Sequence, residues 1–218
     1  MNADDAMLAF ERHSTSKIKR VEDIIHISSL GFRGEALPSI ASVSKLHLVT
    51  RTAEEEMATI VEYANGKLIN VTKTAANTGT AVTVRGLFKD LPARRKFLKT
   101  AQVEARHILK YIHYQALVYP QISFRLVIDD KEKLNYIACA ERKQRIEEVF
   151  GGGFFEDDII PIEGKYSDYS ISGYIFGLED RSDKLIDAQY TFINGRYIFD
   201  KTVRHSIKSA YEPFILKT

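Results

Sequence analysis

Two glycines flank a phenylalanine and an arginine in the segment Gly31 to Gly34, just before a run with a helical pattern. Glycine lets the backbone approach a ligand closely and adopt positive φ angles. A helix that follows directs unpaired N–H groups and the positive end of its dipole toward the same place. This combination suits an anion, and a polyphosphate is the natural occupant. The alternative interpretation is a glycine-rich turn that only begins a helix.

The segment belongs to a series of motifs along the chain. The series comprises Arg12 to Ile18, Leu30 to Leu37, Gly79 to Phe88 and Pro92 to Leu98, with a later echo at Phe192 to Arg196. In order and spacing these motifs resemble the MutL family of DNA mismatch repair proteins. That family belongs to the GHKL group of ATPases, which also contains type II topoisomerases, histidine kinases and a class of heat-shock chaperones.

The resemblance implies a fold and a set of nucleotide contacts. The fold is α+β: a partial GHKL-type α/β sandwich followed by an incomplete α+β domain similar to ribosomal S5 domain 2. The implied cofactor is ATP with magnesium. The resemblance implies phosphate contacts at Gly31, Phe32, Arg33 and Gly34. It implies a lid over the nucleotide that contains Thr15, Ser16 and Lys17, and it places Thr80 near the adenine.

Three parts of the family pattern do not occur in this sequence. They are a helix with E-x-x-x-N-[SA]-x-D-A, a D-N-G-x-G turn, and a late lysine in an H-P-x-K context. In the family they supply the general base, the magnesium-binding asparagine, the adenine-binding aspartate and a lysine for the γ-phosphate. Glu35 is no substitute, because a carboxylate in a first helical turn commonly serves as a dipole partner. We therefore expect an internal part of a longer protein, with no catalytic residue of its own and little or no hydrolysis.

Composition sets outer bounds. The chain has 218 residues, 44% of them hydrophobic, which suffices for a packed core and argues against disorder. The net charge of +2 gives no global attraction to nucleic acid. A single cysteine, Cys139, excludes an internal disulfide and fits a reducing compartment. The sequence has no signal peptide and no apolar run long enough to span a bilayer, so we expect a cytoplasmic protein. Its histidines do not have the spacing of metal ligands, so we expect no metal cluster.

Periodicity predicts the elements of the first part. Asn2 is the expected N-cap of an opening helix, and a second helix runs from Gly34 to Val43. Asn65 and Gly66 mark a hairpin between two strands. The strand Thr80 to Val84 alternates in polarity, which predicts a half-buried strand that presents Thr80 to a ligand. The other strands are expected at Leu46–Arg51, Met57–Tyr63 and Leu68–Thr72.

The later part is predicted to contain three helices and further hairpins. The inward stripe of the helix Ala101 to Val118 is expected at Ala105, Ile108, Leu109, Ile112 and Ala116. The other elements are a hairpin around Asp129 to Lys131, a helix Glu141–Phe150 ending at Gly151, strands Tyr169–Phe176 and Ala188–Ile193, and a helix Lys201–Tyr211 with a stripe at Val203, Ile207, Ala210 and Tyr211. From the resemblance we assign residues 1–138 to the nucleotide-binding domain and 139–218 to the S5-like domain. The run Gly151 to Gly153 is the clearest interruption of secondary structure in the sequence.

Two basic clusters suggest contacts with DNA, and for the first of them a loop held against the nucleotide domain and a plain solvated turn are the alternatives. The first cluster is Arg94, Arg95 and Lys96, and the second is Arg196, Lys201, Arg204 and Lys208. Clustered cations neutralise phosphates and release counterions, with little sequence information. The resemblance implies DNA, a mismatch-recognition protein, other repair proteins and a second copy of the chain as partners. Two alternatives stay open: a DNA-binding module without a nucleotide role, and a topoisomerase-type relative, which would lack the motif at Pro92 to Leu98.

Overall fold

The computed structural model describes residues 1–11, 31, 34–151, 159–175 and 189–213. They divide into two packing units, Met1–Thr100 and Ala101–Thr218. The domain division predicted between residues 138 and 139 is assigned from the family resemblance. These packing units do not test it, so it stays a prediction. None of the helices in the described ranges combines the length and the apolar character that a bilayer span requires.

In its described residues the first unit consists of a four-stranded antiparallel sheet and three short helices, the first two of which pack on the sheet. Its strand order is β3-β2-β1-β4. The helices are α1 (Ala3–Leu8), α2 (Ala36–Ala41) and α3 (Pro92–Arg95), and the strands are β1 (Lys45–Arg51), β2 (Ala58–Ala64), β3 (Lys67–Thr74) and β4 (Gly79–Arg85). The side chain of Asn2 accepts a hydrogen bond of 2.8 Å from the amide of Asp5, so the predicted N-cap is confirmed.

The core of this unit lies between α1, α2 and one face of the sheet. Its buried side chains are Ala6, Phe10, Ala41, Leu46, Leu48 and Val61, and the ring of Phe10 stacks on Tyr63 with centroids 4.4 Å apart. The predicted β2–β3 hairpin is confirmed, because Asn65 and Gly66 have φ angles of 49° and 79°. The tip is anchored by amide hydrogen bonds to the carbonyls of Ser44 and Ala41.

The predicted half-burial of β4 is wrong. Every residue of β4 is exposed, with 46% of Val82 and 41% of Val84 accessible to solvent. β4 pairs with β1 alone, so it is an edge strand of the described sheet. Alternation in the sequence identifies the two faces of a strand, whereas burial depends on what packs against each face.

Within the residues that the structure describes, the second unit contains three helices and three two-stranded antiparallel hairpins. Helix α4 (Ala101–Val118) has the predicted bounds and packs against α5 and β5. The remaining elements are β5 (Phe124–Ile128), β6 (Lys131–Tyr136), α5 (Arg142–Phe150), β7 (Ile160–Tyr166), β8 (Tyr169–Ile175), β9 (Thr191–Ile193), β10 (Arg196–Ile198) and α6 (Lys201–Tyr211).

The apolar stripes predicted for α4 and α6 are only partly confirmed. In α4 the buried residues are Tyr114, Ala116 and Leu117, while Ile108 is 51% exposed. Tyr114 stacks on Tyr197 of β10 with ring centroids 3.7 Å apart, and burial raises its pKa above the ordinary range of tyrosine. No side chain of α6 is buried among the described residues. The packing of α4 is therefore concentrated in its C-terminal half.

Candidate functional site

The glycine-rich segment is described at its two ends. Gly31 is exposed, and a Cβ atom at this position would meet no atom within 4 Å. Gly34 has a φ of 63°, in the region that favours glycine. It lies two residues before α2, and the Glu35 side chain forms no capping hydrogen bond with that helix. Space beside Gly31 and a positive φ at Gly34 are features that a glycine-rich phosphate-binding turn before a helix would have.

The other residues assigned to the phosphates and the lid lie outside the described part of the chain. They are Thr15, Ser16, Lys17, Phe32 and Arg33. Their predicted roles stay predictions.

Thr80, the residue assigned to the adenine side, lies at the start of β4 and is exposed. Its Oγ1 atom is 2.8 Å from Oγ1 of Thr50, which lies opposite it on β1. Thr50 is 1% exposed. The sequence analysis missed Thr50, because only the register of β1 against β4 brings the two hydroxyl groups together.

A polar cluster at the end of β1 holds the neighbouring backbone. The guanidinium of Arg51 donates to the carbonyl of Glu55 at 2.9 Å and to Oγ1 of Thr78 at 3.1 Å. The carboxylate of Glu55 accepts from the amide of Thr52 at 3.2 Å, from the Thr52 hydroxyl at 3.1 Å and from the amide of Ala3 at 3.3 Å. These hydrogen bonds, led by that of the Thr52 amide, lower the pKa of Glu55. The cluster ties the start of α1 to the β1–β2 connection.

The first basic cluster lies on the short helix α3. Arg94 and Arg95 occupy its last turn, Lys96 follows as the C-cap, and all three are exposed. Pro92 stands at the start of the helix, where its fixed φ and missing N–H cost little. The three cationic side chains are therefore exposed on and directly after a helix of four residues.

The second basic cluster lies on β10 and α6. Lys201, Arg204 and Lys208 follow one another at intervals of three and four residues, so they share one face of α6. Asp200 caps this helix by accepting a hydrogen bond of 2.9 Å from the amide of Val203. The Arg204 guanidinium lies over the ring of Phe199, 5.1 Å from its centroid. Arg196 lies on the exposed side of β10.

The turn before Arg196 is constrained by a close contact. Gly195 has a φ of 76°, and a Cβ atom there would lie 2.7 Å from the hydroxyl of Tyr119. Asn194, with a φ of 48°, is the other turn residue. Both the backbone angle and the lack of space favour glycine at position 195. This explains in structural terms why the motif Phe192 to Arg196 contains a glycine there.

The described residues offer no ready magnesium site. Among them, no group of three or more histidine, cysteine, aspartate or glutamate side chains lies close enough together to hold a metal ion. The carboxylate of Glu55 is occupied by the hydrogen bonds described above.

Comparison with known proteins gives three kinds of match. A family model described as "DNA mismatch repair protein, C-terminal domain" matches residues 146–218. The chain is 39% identical to the DNA mismatch repair protein MutL of Solibacter usitatus, over 97% of this chain and 36% of the relative. It is 41% identical to the MutL of Thermodesulfovibrio yellowstonii, over 96% of this chain and 38% of the relative. The chain therefore spans about a third of the length of these relatives.

Two solved structures share the fold. The Aquifex aeolicus MutL ATPase domain complexed with ADP superposes with a TM-score of 0.68 at 29% identity, covering 88% of this chain and 71% of that one. The N-terminal domain of a DNA repair protein gives a TM-score of 0.74 at 26% identity, covering 98% of this chain and 67% of that one.

Proposed function

We propose that this chain, which belongs to the MutL family of DNA mismatch repair proteins, contributes the phosphate-binding loop and one adenine-side contact of an ATP site. The observations that carry this proposal are the space beside the Cα atom of Gly31 and the φ of 63° at Gly34, just before α2. Thr80, in the same unit, adds a hydroxyl group at the edge of the sheet. The similar Aquifex aeolicus domain is complexed with ADP, which supports the same class of ligand for this chain.

The residues divide the work of binding. The segment Gly31 to Gly34 contacts the phosphates in this proposal, and Lys17, which lies outside the described residues, keeps the phosphate-side role that the resemblance implies. Thr80 supplies a hydroxyl on the base side. A bound ATP would supply the phosphate oxygens and the base that these residues contact. None of the described residues is assigned to magnesium or to the attacking water, so we propose nucleotide binding and no hydrolysis by these groups alone.

The wider role follows from the family. We propose that the basic clusters on α3, β10 and α6 contact DNA phosphates. Homodimer formation, contacts with a mismatch-recognition protein and with other repair proteins, and a cytoplasmic location are proposed with it. The distribution of exposed cations on α6 also supports the second candidate, a DNA-binding module without a nucleotide role.

Titration of the chain with ADP by calorimetry tests the nucleotide proposal. Gly34→Val strains a backbone that has a φ of 63°, and Thr80→Val removes one hydroxyl group. We expect each to weaken ADP binding by about threefold or more. Thr72→Val, an exposed position on β3, is the matched control and leaves the affinity unchanged. Equal affinities for all four proteins, or no binding at millimolar ADP, would contradict the proposal.

Affinity for duplex DNA at several salt concentrations, with and without ADP, separates the two candidates. The module predicts a steep salt dependence that ADP does not change. The nucleotide proposal predicts ADP binding whether or not DNA is present.

A further inference from the structure

A large aromatic ring is exposed at the start of α6. Phe199 lies directly between β10 and Asp200, the N-cap residue of the helix, and is 63% accessible to solvent. Single exposed apolar residues are common on protein surfaces, so exposure alone indicates nothing. What distinguishes Phe199 is its position within the second basic cluster, between Arg196 and Lys201 in the sequence.

The start of the helix fixes where this ring lies. Counted from the N-cap Asp200, Phe199 is the residue before the cap and Arg204 is the fourth residue of the helix, two positions whose side chains commonly meet. The Arg204 guanidinium lies 5.1 Å from the centroid of the Phe199 ring, at a distance where a cation is attracted to an aromatic face. The contact orients the ring and leaves most of the residue uncovered. A ligand that stacks on an oriented ring has less conformational entropy to overcome.

The charges around the ring favour an anionic ligand. Lys201 and Lys208 are exposed on the same face of α6 as Arg204, and the helical rise places them about 10 Å apart along the axis. In the sequence from Arg196 to Lys208 the one acidic residue is Asp200, whose carboxylate accepts the hydrogen bond of the Val203 amide. A ligand at this surface therefore meets several cations and one aromatic face within two helical turns.

We propose that Phe199 is a base-stacking residue: it stacks on an unpaired base of single-stranded DNA while the cations of the second basic cluster contact the neighbouring phosphates. The inference rests on the proposed function, because it refines the DNA contact assigned to the same cluster. Stacking of bases on aromatic side chains, combined with a basic surface, is a general mode of single-strand binding that tolerates any base. In a duplex each base is already stacked on its neighbours, and unstacking it costs free energy. The ring therefore adds affinity for single strands and none for duplexes.

Three DNA ligands and two substitutions separate stacking from charge. The ligands are a short oligothymidylate, a strand of equal length made of abasic sites, which keeps the phosphates and lacks the bases, and a duplex. Phe199→Leu keeps an apolar side chain before the N-cap and removes the ring, whereas Phe199→Tyr keeps the ring. We expect Phe199→Leu to weaken oligothymidylate binding by about fivefold or more and to leave the abasic strand and the duplex unchanged. Phe199→Tyr is expected to bind all three as the unmodified chain does, with fluorescence anisotropy as the measurement.

Tyr169→Leu on β8 is the matched control. Tyr169 is 61% exposed in the same unit and its ring stacks on Tyr166, but it follows Asp168 and belongs to no basic cluster. We expect its binding to all three ligands to equal that of the unmodified chain. If Phe199→Leu weakens the oligothymidylate, the abasic strand and the duplex equally, Phe199 only supports the start of α6, and the proposal is overturned. Unchanged binding of the oligothymidylate by Phe199→Leu overturns it as well.

Photochemical crosslinking tests the contact on the unmodified chain. A single strand that carries iodouracil crosslinks on irradiation to an aromatic side chain stacked on it, and mass spectrometry of the peptides identifies the residue. We expect the crosslink at Phe199, and crosslinks confined to other residues would overturn the proposal. Absence of salt-dependent binding to every DNA ligand would contradict the proposed function and this inference together. Duplex binding that is weakened by Lys201→Ala with Lys208→Ala, with no effect of Phe199→Leu on the oligothymidylate, would overturn this inference alone.

Discussion

The Nη2 atom of Arg145 lies 2.6 Å from the carbonyl oxygen of Ile137, inside the second unit. Arg145 is fully buried and also donates to the carbonyls of Ala116, Pro120 and Ile122. Its Nε atom pairs with the carboxylate of Glu148 at 3.0 Å. One side chain therefore joins the end of α4, the two ends of the β5–β6 hairpin and α5.

Replacement of Arg145 is expected to destabilise the second unit. Arg145→Met leaves several buried carbonyl groups and the Glu148 carboxylate without their donor, which costs about 3 kcal/mol of unfolding free energy. Urea denaturation followed by circular dichroism measures this loss. Arg142→Met, at an exposed position on the same helix, is the control and changes stability by less than about 0.5 kcal/mol. Equal unfolding midpoints for the two variants would contradict the role assigned to Arg145.

The contact between Gly195 and Tyr119 predicts a conditional effect. Gly195→Ala adds a Cβ atom 2.7 Å from the Tyr119 hydroxyl at a φ of 76°, so we expect a loss of about 2 kcal/mol. In a Tyr119→Phe background the nearest ring atom lies 3.5 Å away, and the cost falls to that of the backbone angle, about 1 kcal/mol. A double-mutant cycle by denaturation measures the difference. An equal cost in both backgrounds would rule out the steric explanation.

The hydrogen bonds of Glu55 predict its titration. Its pKa lies below the ordinary value of 4.5, so the ionised carboxylate stabilises the fold above the unfolded-state pKa. That contribution is lost as the pH falls through the lower, folded-state pKa. A titration followed by the Glu55 carboxyl ¹³C shift is expected to have its midpoint below 4.5. Thr52→Val removes one donor and moves the midpoint upward, whereas Thr72→Val leaves it in place. A midpoint at or above 4.5 in the unmodified chain would refute this assignment.

The cations on one face of α6 predict how the affinity for duplex DNA depends on salt. Lys201→Ala combined with Lys208→Ala removes two exposed cations, so the slope of log affinity for duplex DNA against log salt falls by about two. Lys165→Ala on β7 removes one exposed cation elsewhere in the second unit and serves as the control. Fluorescence anisotropy at several salt concentrations gives the slopes. A double variant with the slope of the unmodified chain would exclude this face from DNA contact.

Local signals in the sequence predict the elements well where residue type alone decides the backbone. Asn65 and Gly66 specify their hairpin turn, and the bounds of α4 follow from helical periodicity and the Tyr119–Pro120 stop. The strand β7 is not predicted, because Pro161 and Gly164 interrupt its β pattern. Burial of Arg145 is equally unpredictable, since charged residues are seldom buried and its carbonyl acceptors come from distant parts of the chain.

The candidate site shows the same division between local and tertiary information. The positive φ of Gly34 and the exposure of Thr80 agree with the residue types and motifs in the sequence. The pairing of Thr50 with Thr80 depends on the β1–β4 register, which joins residues 30 positions apart. The overestimated burial of Val82 and Val84 has the same origin, because what covers a strand is decided by tertiary structure.

Backbone amide shifts in ¹⁵N NMR spectra during ADP addition test the central claim most directly. If the glycine-rich loop and the start of β4 form part of a nucleotide site, the amides of Gly31, Gly34 and Thr80 shift progressively with ADP, while those of the β7–β8 hairpin stay fixed. Saturating ADP that leaves these three amides unmoved, or that moves only amides of α6, would contradict the account.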